Sequence, residues 1–162
     1  MYGLPKPLEF IMPEAKDIEI LVVDDELLVR DLIYDFLSSN GYTVYLAEDG
    51  KKAISLVDEV DFKVALVDLK MPEVDGLEVA GVLTEKKPYV PIVIMTAYPS
   101  VDSTVEAIKE GVFDYIIKPF NISQLSKTIG KAVNEYTARS SSNYIRVKAD
   151  NIDTINLDDS IC

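Results

Sequence analysis

Asp68 stands directly after the apolar run Val64-Ala-Leu-Val67, and Pro72 follows it closely. The same arrangement recurs along the chain: Asp24 and Asp25 follow a run ending at Val23, Thr96 closes Ile92-Val-Ile-Met-Thr96, and Lys118 closes Asp114-Tyr-Ile-Ile-Lys118. If those runs are neighbouring parallel strands, their ends collect at one sheet edge, where open α/β sheets hold their ligands. Carboxylates gathered there repel, by about 4 kcal/mol per pair at about 4 Å and an effective dielectric near 20. Either some protonate or a cation enters. The chain has no histidine and its one cysteine is Cys162, so ligation near Asp24, Asp25 and Asp68 is all-oxygen. That donor set selects a hard ion, Mg2+, with Mn2+ as the second choice. An Asp68 oxygen beside such a cation can attack an electrophilic phosphorus, while Lys118 neutralises the equatorial oxygens and the Thr96 hydroxyl donates to one of them. The product is an aspartyl phosphate.

The elements that must position these groups follow from hydrophobic period. Strands are expected at 18–23, 43–47, 64–68, 92–96 and 114–118, each a short apolar run bounded by charged residues, Pro or Gly. Helical stripes separate them. Val29, Leu32, Ile33, Phe36 and Leu37 mark the first helix over 26–39, closed by Asn40-Gly41 with Gly41 suited to a left-handed C′ position. Ala53, Ile54 and Val57 mark the second, over 50–58. The third lies near 77–84 with Leu77, Ala80 and Gly81 on its face. The fourth carries Val101, Val105, Ile108 and Val112 and ends at Gly111. The fifth is capped by Asn121 and buries Ile122, Leu125, Ile129 and Val133. Five strand–helix units imply a parallel sheet covered on both faces, an α/β doubly wound fold of flavodoxin type with strand order 2-1-3-4-5; the order rests on fold analogy.

The 162 residues fit one domain with tails. Residues 1–17 read as an N-terminal tail, 18–138 as the folded domain, and 139–162 as an acidic C-terminal tail or linker with a short strand at 144–148. A net charge of −12 argues against nucleic-acid binding by this domain, which needs a basic footprint. No apolar stretch approaches the length of a membrane span, residues 1–10 lack a signal-peptide pattern, and a single terminal cysteine suits a reducing, cytoplasmic setting.

Taken together, Leu21-Val-Val-Asp-Asp-Glu26, Val67-Asp-Leu-Lys-Met-Pro72 with Asp75-Gly76, Met95-Thr-Ala97 and Tyr115-Ile-Ile-Lys-Pro-Phe120 resemble the receiver domain of two-component response regulators, over about residues 17–138. The style is closest to receivers of σ54-dependent activators or sensory kinases. The resemblance implies that Asp68 is the phospho-acceptor. It implies that Asp25 and Asp68 ligate Mg2+ directly, Asp24 mostly through water, and the Lys70 backbone carbonyl as a further ligand. Thr96 becomes the switch hydroxyl, Tyr115 the aromatic that responds to it, and Lys118 the phosphate-contacting lysine, with a cis peptide bond to Pro119. Lys70 and Tyr98 are expected to tune hydrolysis; Glu26 and Glu73 are read as solvated.

The implied partners are a sensor histidine kinase or phosphotransfer protein as donor, and a downstream protein or a second copy bound through the fourth helix, fifth strand and fifth helix, where Lys109, Glu110, Lys127 and Lys131 are expected to be exposed. The chain then supports its own phosphotransfer and slow autodephosphorylation without turning over a separate substrate. An alternative reading makes it the receiver part of a larger DNA-binding transcription regulator. A haloacid dehalogenase-type phosphatase needs Asp-x-Asp on its first strand, which Asp24-Asp25-Glu26 does not supply. A flavodoxin-like FMN binder needs a phosphate-cradling loop where Asp24 and Asp25 would repel the phosphate.

Overall fold

A computed structural model describes the backbone of residues 18–161 and the side chains of residues 18–141. The expected 1–17 tail and Cys162 lie outside the described residues. Five parallel strands, β1 (Glu19–Val23), β2 (Thr43–Ala47), β3 (Val64–Asp68), β4 (Ile92–Thr96) and β5 (Asp114–Ile117), form one sheet in the order β2-β1-β3-β4-β5. Between and after them run α1 (Leu27–Ser39), α2 (Gly50–Val57), α3 (Gly76–Lys86), α4 (Val101–Lys109) and α5 (Ile122–Ile161). The expected fold class and strand order both hold.

Strand alternation divides the core into two layers. Leu21, Val23, Ala65, Val67, Ile92 and Ile94 pack with Ala53, Val57, Val79, Ala80, Leu83 and Ala107 of α2, α3 and α4. Ile20, Val22, Leu66, Val93 and Met95 pack with Ile33 and Leu37 of α1 and with Leu125, Ile129 and Ala132 of α5. Burial on both faces is why the central strands read as continuous apolar runs. β2, at the sheet edge, is only partly buried until Ala47.

Local chemistry sets the helix starts. Asp49, Asp75 and Ser100 each accept the backbone N–H three residues on, satisfying a donor that the first turn leaves orphaned. Asn121 caps α5 as expected, and Gln124 returns a bond to the Asn121 N–H. Gly41 and Gly111 both take positive φ, 89° and 81°, where a side chain would be strained.

Several expected faces shift. α1 buries Ile33 and Leu37 but leaves Leu32 exposed. α2 also buries Leu56. α3 buries Val79, Ala80 and Leu83, while Gly81 faces Glu110. α5 buries Ala132, with Val133 only partly covered and Ile122 exposed. The largest departure is α4. Its apolar stripe faces outward, Val101 at 80% and Ile108 at 68% exposure, and Ala107 is its one buried residue. The strand expected at 144–148 is instead helix, because the backbone of α5 continues through the segment expected as a tail or linker from residue 139. α5 runs 40 residues without a break, about 60 Å at 1.5 Å per residue. Arg139 helps carry it past the domain edge, pairing with Glu135 at 2.7 Å and lying 6.0 Å from the Phe113 ring centre. No helix among the described residues is long and apolar enough to cross a membrane.

Candidate functional site

The ladder brings the expected residues to one edge. Val23 pairs with Ala47 and Val67, Asp68 with Met95, and Thr96 with Ile117. Strand-like bonds continue just past the strand ends: Asp24 N–H to Ala47 O at 3.1 Å, Leu69 N–H to Met95 O at 2.8 Å, and Lys118 N–H to Thr96 O at 2.7 Å. Backbone pairing therefore fixes where each of these residues leaves the sheet. Asp24, Asp68 and Thr96 are buried, whereas Asp25 is exposed.

Asp24, Asp25 and Asp68 converge, each offering an oxygen within 4.8 Å of the others'. Lys118 is the cation set among them. Its Nζ lies 2.7 Å from Asp24 Oδ2, 3.3 Å from Glu26 Oε1 and 3.6 Å from Asp68 Oδ2. The Asp24 contact is a close ion pair to a fully buried carboxylate. Asp24 Oδ1 accepts from the Glu26 N–H at 2.9 Å, and the Asp24 carbonyl accepts from Arg30 Nη1 at 2.7 Å. Three carboxylates in reach of one another, compensated by a single ammonium and with no nitrogen or sulfur ligand among them, fit a hard divalent cation.

Charge crowding shows in the titration of the cluster. Burial, then the Asp24 charge, pushes Asp68 up to about 7; Lys118 pulls the other way and Asp25 adds to the rise. Burial alone would lower Lys118, but Asp24, Asp68 and Glu26 together hold it above its ordinary value. Asp68 thus binds its proton more tightly in the native state than in the unfolded chain. The stability this contributes is fully present below the ordinary value of 3.8 and is lost as pH rises through about 7. The Mg2+-free protein is therefore expected to lose thermal stability between about pH 5 and about pH 8, and magnesium salts to restore more of it at the upper end. Thermal melts with and without Mg2+ across that range check this; a magnesium effect that shrinks as pH rises would contradict the crowding.

Thr96 and Tyr115 are tied to different partners. The Thr96 hydroxyl accepts from the Tyr98 N–H at 3.1 Å. The half-buried Tyr115 meets Ser103 Oγ of α4 through its hydroxyl at 3.1 Å. Lys70 Nζ lies 5.4 Å from the Tyr98 ring centre, so the two expected tuning positions touch across the mouth of the site. The Lys118–Pro119 peptide is cis, as expected. Glu26 departs from expectation by pairing with the largely buried Lys118, whereas Glu73 is exposed as expected and meets only the exposed Lys51, at 3.2 Å. Arg30 and Ser103 were not singled out from the sequence. Arg30 follows Asp24 at a spacing that lets the first turn of α1 reach back, and Ser103 completes a Ser-x-x-Ser capping pattern.

The comparisons with known proteins point to one family. The family model described as response regulator receiver domain matches residues 20–130. The transcriptional regulatory protein ZraR of Klebsiella oxytoca is 40% identical over 119 residues, covering 74% of this chain and 27% of its own. The chain thus spans about a quarter of that relative's length. Among solved structures, the response regulator TrrA of Thermotoga maritima, in complex with Mg(2+)-BeF, is 33% identical with a TM-score of 0.65, covering 71% of this chain and 98% of its own. NtrX of Brucella abortus is 26% identical with a TM-score of 0.73, covering 78% and 29%.

Proposed function

We propose a function from the premise that this chain belongs to the response regulator receiver domain family: Asp68 accepts a phosphoryl group from a phosphohistidine on a sensor histidine kinase or phosphotransfer protein, and the modification changes the α4–β5–α5 face. The observation that carries the reading is the convergence of three carboxylates, two of them paired with Lys118, at the sheet edge where Thr96 ends β4. Asp25 and Asp68, Asp24 mainly through water, and the Lys70 backbone carbonyl would hold Mg2+, a reading the Mg(2+)-BeF complex of TrrA supports. When bound, that cation supplies charge neutralisation for the phosphoryl oxygens and orients them opposite Asp68.

The chain's own groups do the rest. An Asp68 oxygen attacks phosphorus, the new O–P bond forms as the P–N bond to imidazole breaks, and that electron pair returns to the ring nitrogen. Lys118 gives up Asp24 and Glu26 for a phosphoryl oxygen. Thr96 turns its hydroxyl from the Tyr98 N–H to the phosphoryl group, and Tyr115 follows, changing its bond to Ser103. Because the phosphoryl group meets Thr96 and Lys118 in one arrangement only, it shifts a pre-existing equilibrium. Moving that equilibrium from about 1:99 to 99:1 takes roughly 5.5 kcal/mol of differential contact.

The α4 stripe is the output face in this reading. Val101, Val105 and Ile108 lie exposed, as do Ile117 on β5 and Ile122 on α5, and Lys109, Glu110, Lys127 and Lys131 add the mixed charge expected there. A downstream protein, or a second copy of the chain, would cover it. Ile108→Lys is expected to abolish any association induced by phosphorylation or beryllofluoride and to leave phosphorylation itself unchanged, as read by sedimentation and intact mass. Leu27, Leu28 and Leu32 on α1, exposed beside Glu26, suit the docking of the donor. The coverage of ZraR also favours the wider reading that this chain is the receiver part of a longer, DNA-binding regulator. We place it in the cytoplasm and assign it no separate substrate.

Intact-mass measurement after incubation with a small acyl phosphate and Mg2+ tests the reading. One base-labile phosphoryl group per chain is expected; no gain with Mg2+ bound would overturn it.

A further inference from the structure

All four polar groups of Asp24 are engaged or in contact. Its N–H is on Ala47 and its Oδ1 on the Glu26 N–H, its Oδ2 faces Lys118, and its carbonyl takes the Arg30 guanidinium at 2.7 Å. The last contact differs from the others because it fixes the peptide joining Asp24 to Asp25. That peptide is the pivot from which the exposed Asp25 carboxylate reaches Asp68. Arg30 is held in turn, since its own N–H bonds the Glu26 carbonyl at 3.1 Å as α1 begins. Its side chain lines a recess with Asp25, Glu48, Asp49, Pro72 and Glu73.

From this we infer that Arg30 is a positioning residue for cation binding: by clamping the Asp24 carbonyl it sets the Asp24–Asp25 peptide so that Asp25 and Asp68 face one another. The inference rests on the reading of Asp24, Asp25 and Asp68 as the cation site. It gains force from a conflict of signs. A guanidinium near a divalent cation repels it, so on charge alone removing Arg30 would tighten Mg2+ binding. A guanidinium that orients a ligand does the opposite, and removing it weakens Mg2+ binding. Shape and charge therefore predict opposite outcomes for one substitution. Arg30→Lys separates them again, because it keeps the charge but loses the planar fork.

Calorimetric titration of the full chain with MgCl2 decides between them. Arg30→Ala is expected to raise the Mg2+ dissociation constant about tenfold, equivalent to about 1.4 kcal/mol. Arg30→Lys should fall between that variant and the wild type. At saturating Mg2+, the phosphorylation rate with a small acyl phosphate should return to within about twofold of wild type, because the defect lies in assembling the site. Unchanged or tighter Mg2+ binding in Arg30→Ala, or wild-type affinity in Arg30→Lys, overturns the role. Circular dichroism without metal monitors folding; if Arg30→Ala does not fold, the Arg30→Lys titration alone decides. Failure of the underlying site reading would look different: the wild type itself would take up no Mg2+.

Discussion

Asp68→Asn is expected to take no phosphoryl group under conditions that load the wild type fully. The substitution keeps the shape of a buried side chain at the end of β3 but replaces an anionic oxygen nucleophile with a neutral amide. It also removes one carboxylate from a crowded set. Asp68 is pushed up to about 7 by burial and by Asp24, so in the wild type above that pH an ionised Asp68 faces both neighbours. The metal-free variant should therefore be more stable than metal-free wild type at about pH 8, with the advantage fading toward about pH 5. Its Mg2+ affinity should fall, since a charged ligand is gone. Intact mass, thermal melts and calorimetry read the three effects separately. Equal labelling of variant and wild type would remove Asp68 from its role, whatever happened to stability.

Gly76→Ala should have the largest structural effect of any single methyl group added near the site. A Cβ there would clash with the Asp68 carbonyl oxygen and stand 2.8 Å from Leu69 Cα and 2.9 Å from the Asp68 carbonyl carbon. All three are backbone atoms, and none can swing aside. Gly76 is also pinned, its N–H bonding the Leu69 carbonyl at 2.9 Å. Either the start of α3 withdraws or the end of β3 shifts, and the second moves Asp68 itself. A loss of about 3 kcal/mol is expected, or roughly 10 °C in thermal midpoint for a domain of this size, together with slowed phosphorylation. Gly81→Ala, in the same helix, is the control. There the new Cβ meets Glu110 Oε2 at 3.1 Å, the far end of a flexible exposed side chain, and alanine favours the helix by up to about 1 kcal/mol. Equal melting of the two variants would contradict the packing assigned to Gly76.

The receiver reading was legible because its signals are local. A strand end, a capping residue and a left-handed glycine are decided within a few residues, so β3 and β4 were expected with their observed bounds, and Asp49, Asp75 and Asn121 sit where the next turn needs an acceptor. Helix faces were less legible. Val101, Val105 and Ile108 have the period of a buried stripe, yet they face outward, because period reports that a face is apolar and not whether anything covers it.

Sequence alone determined the strand–helix alternation and the carboxylate, hydroxyl and ammonium groups at the strand ends, since both are properties of short segments. Tertiary structure alone decided the rest. Lys118 meets Glu26 across 92 positions of chain, and it meets Asp24 and Asp68 at the same sheet edge. Each of these contacts is set by where the sheet and helices bring distant backbone together, and local propensity does not encode such distances.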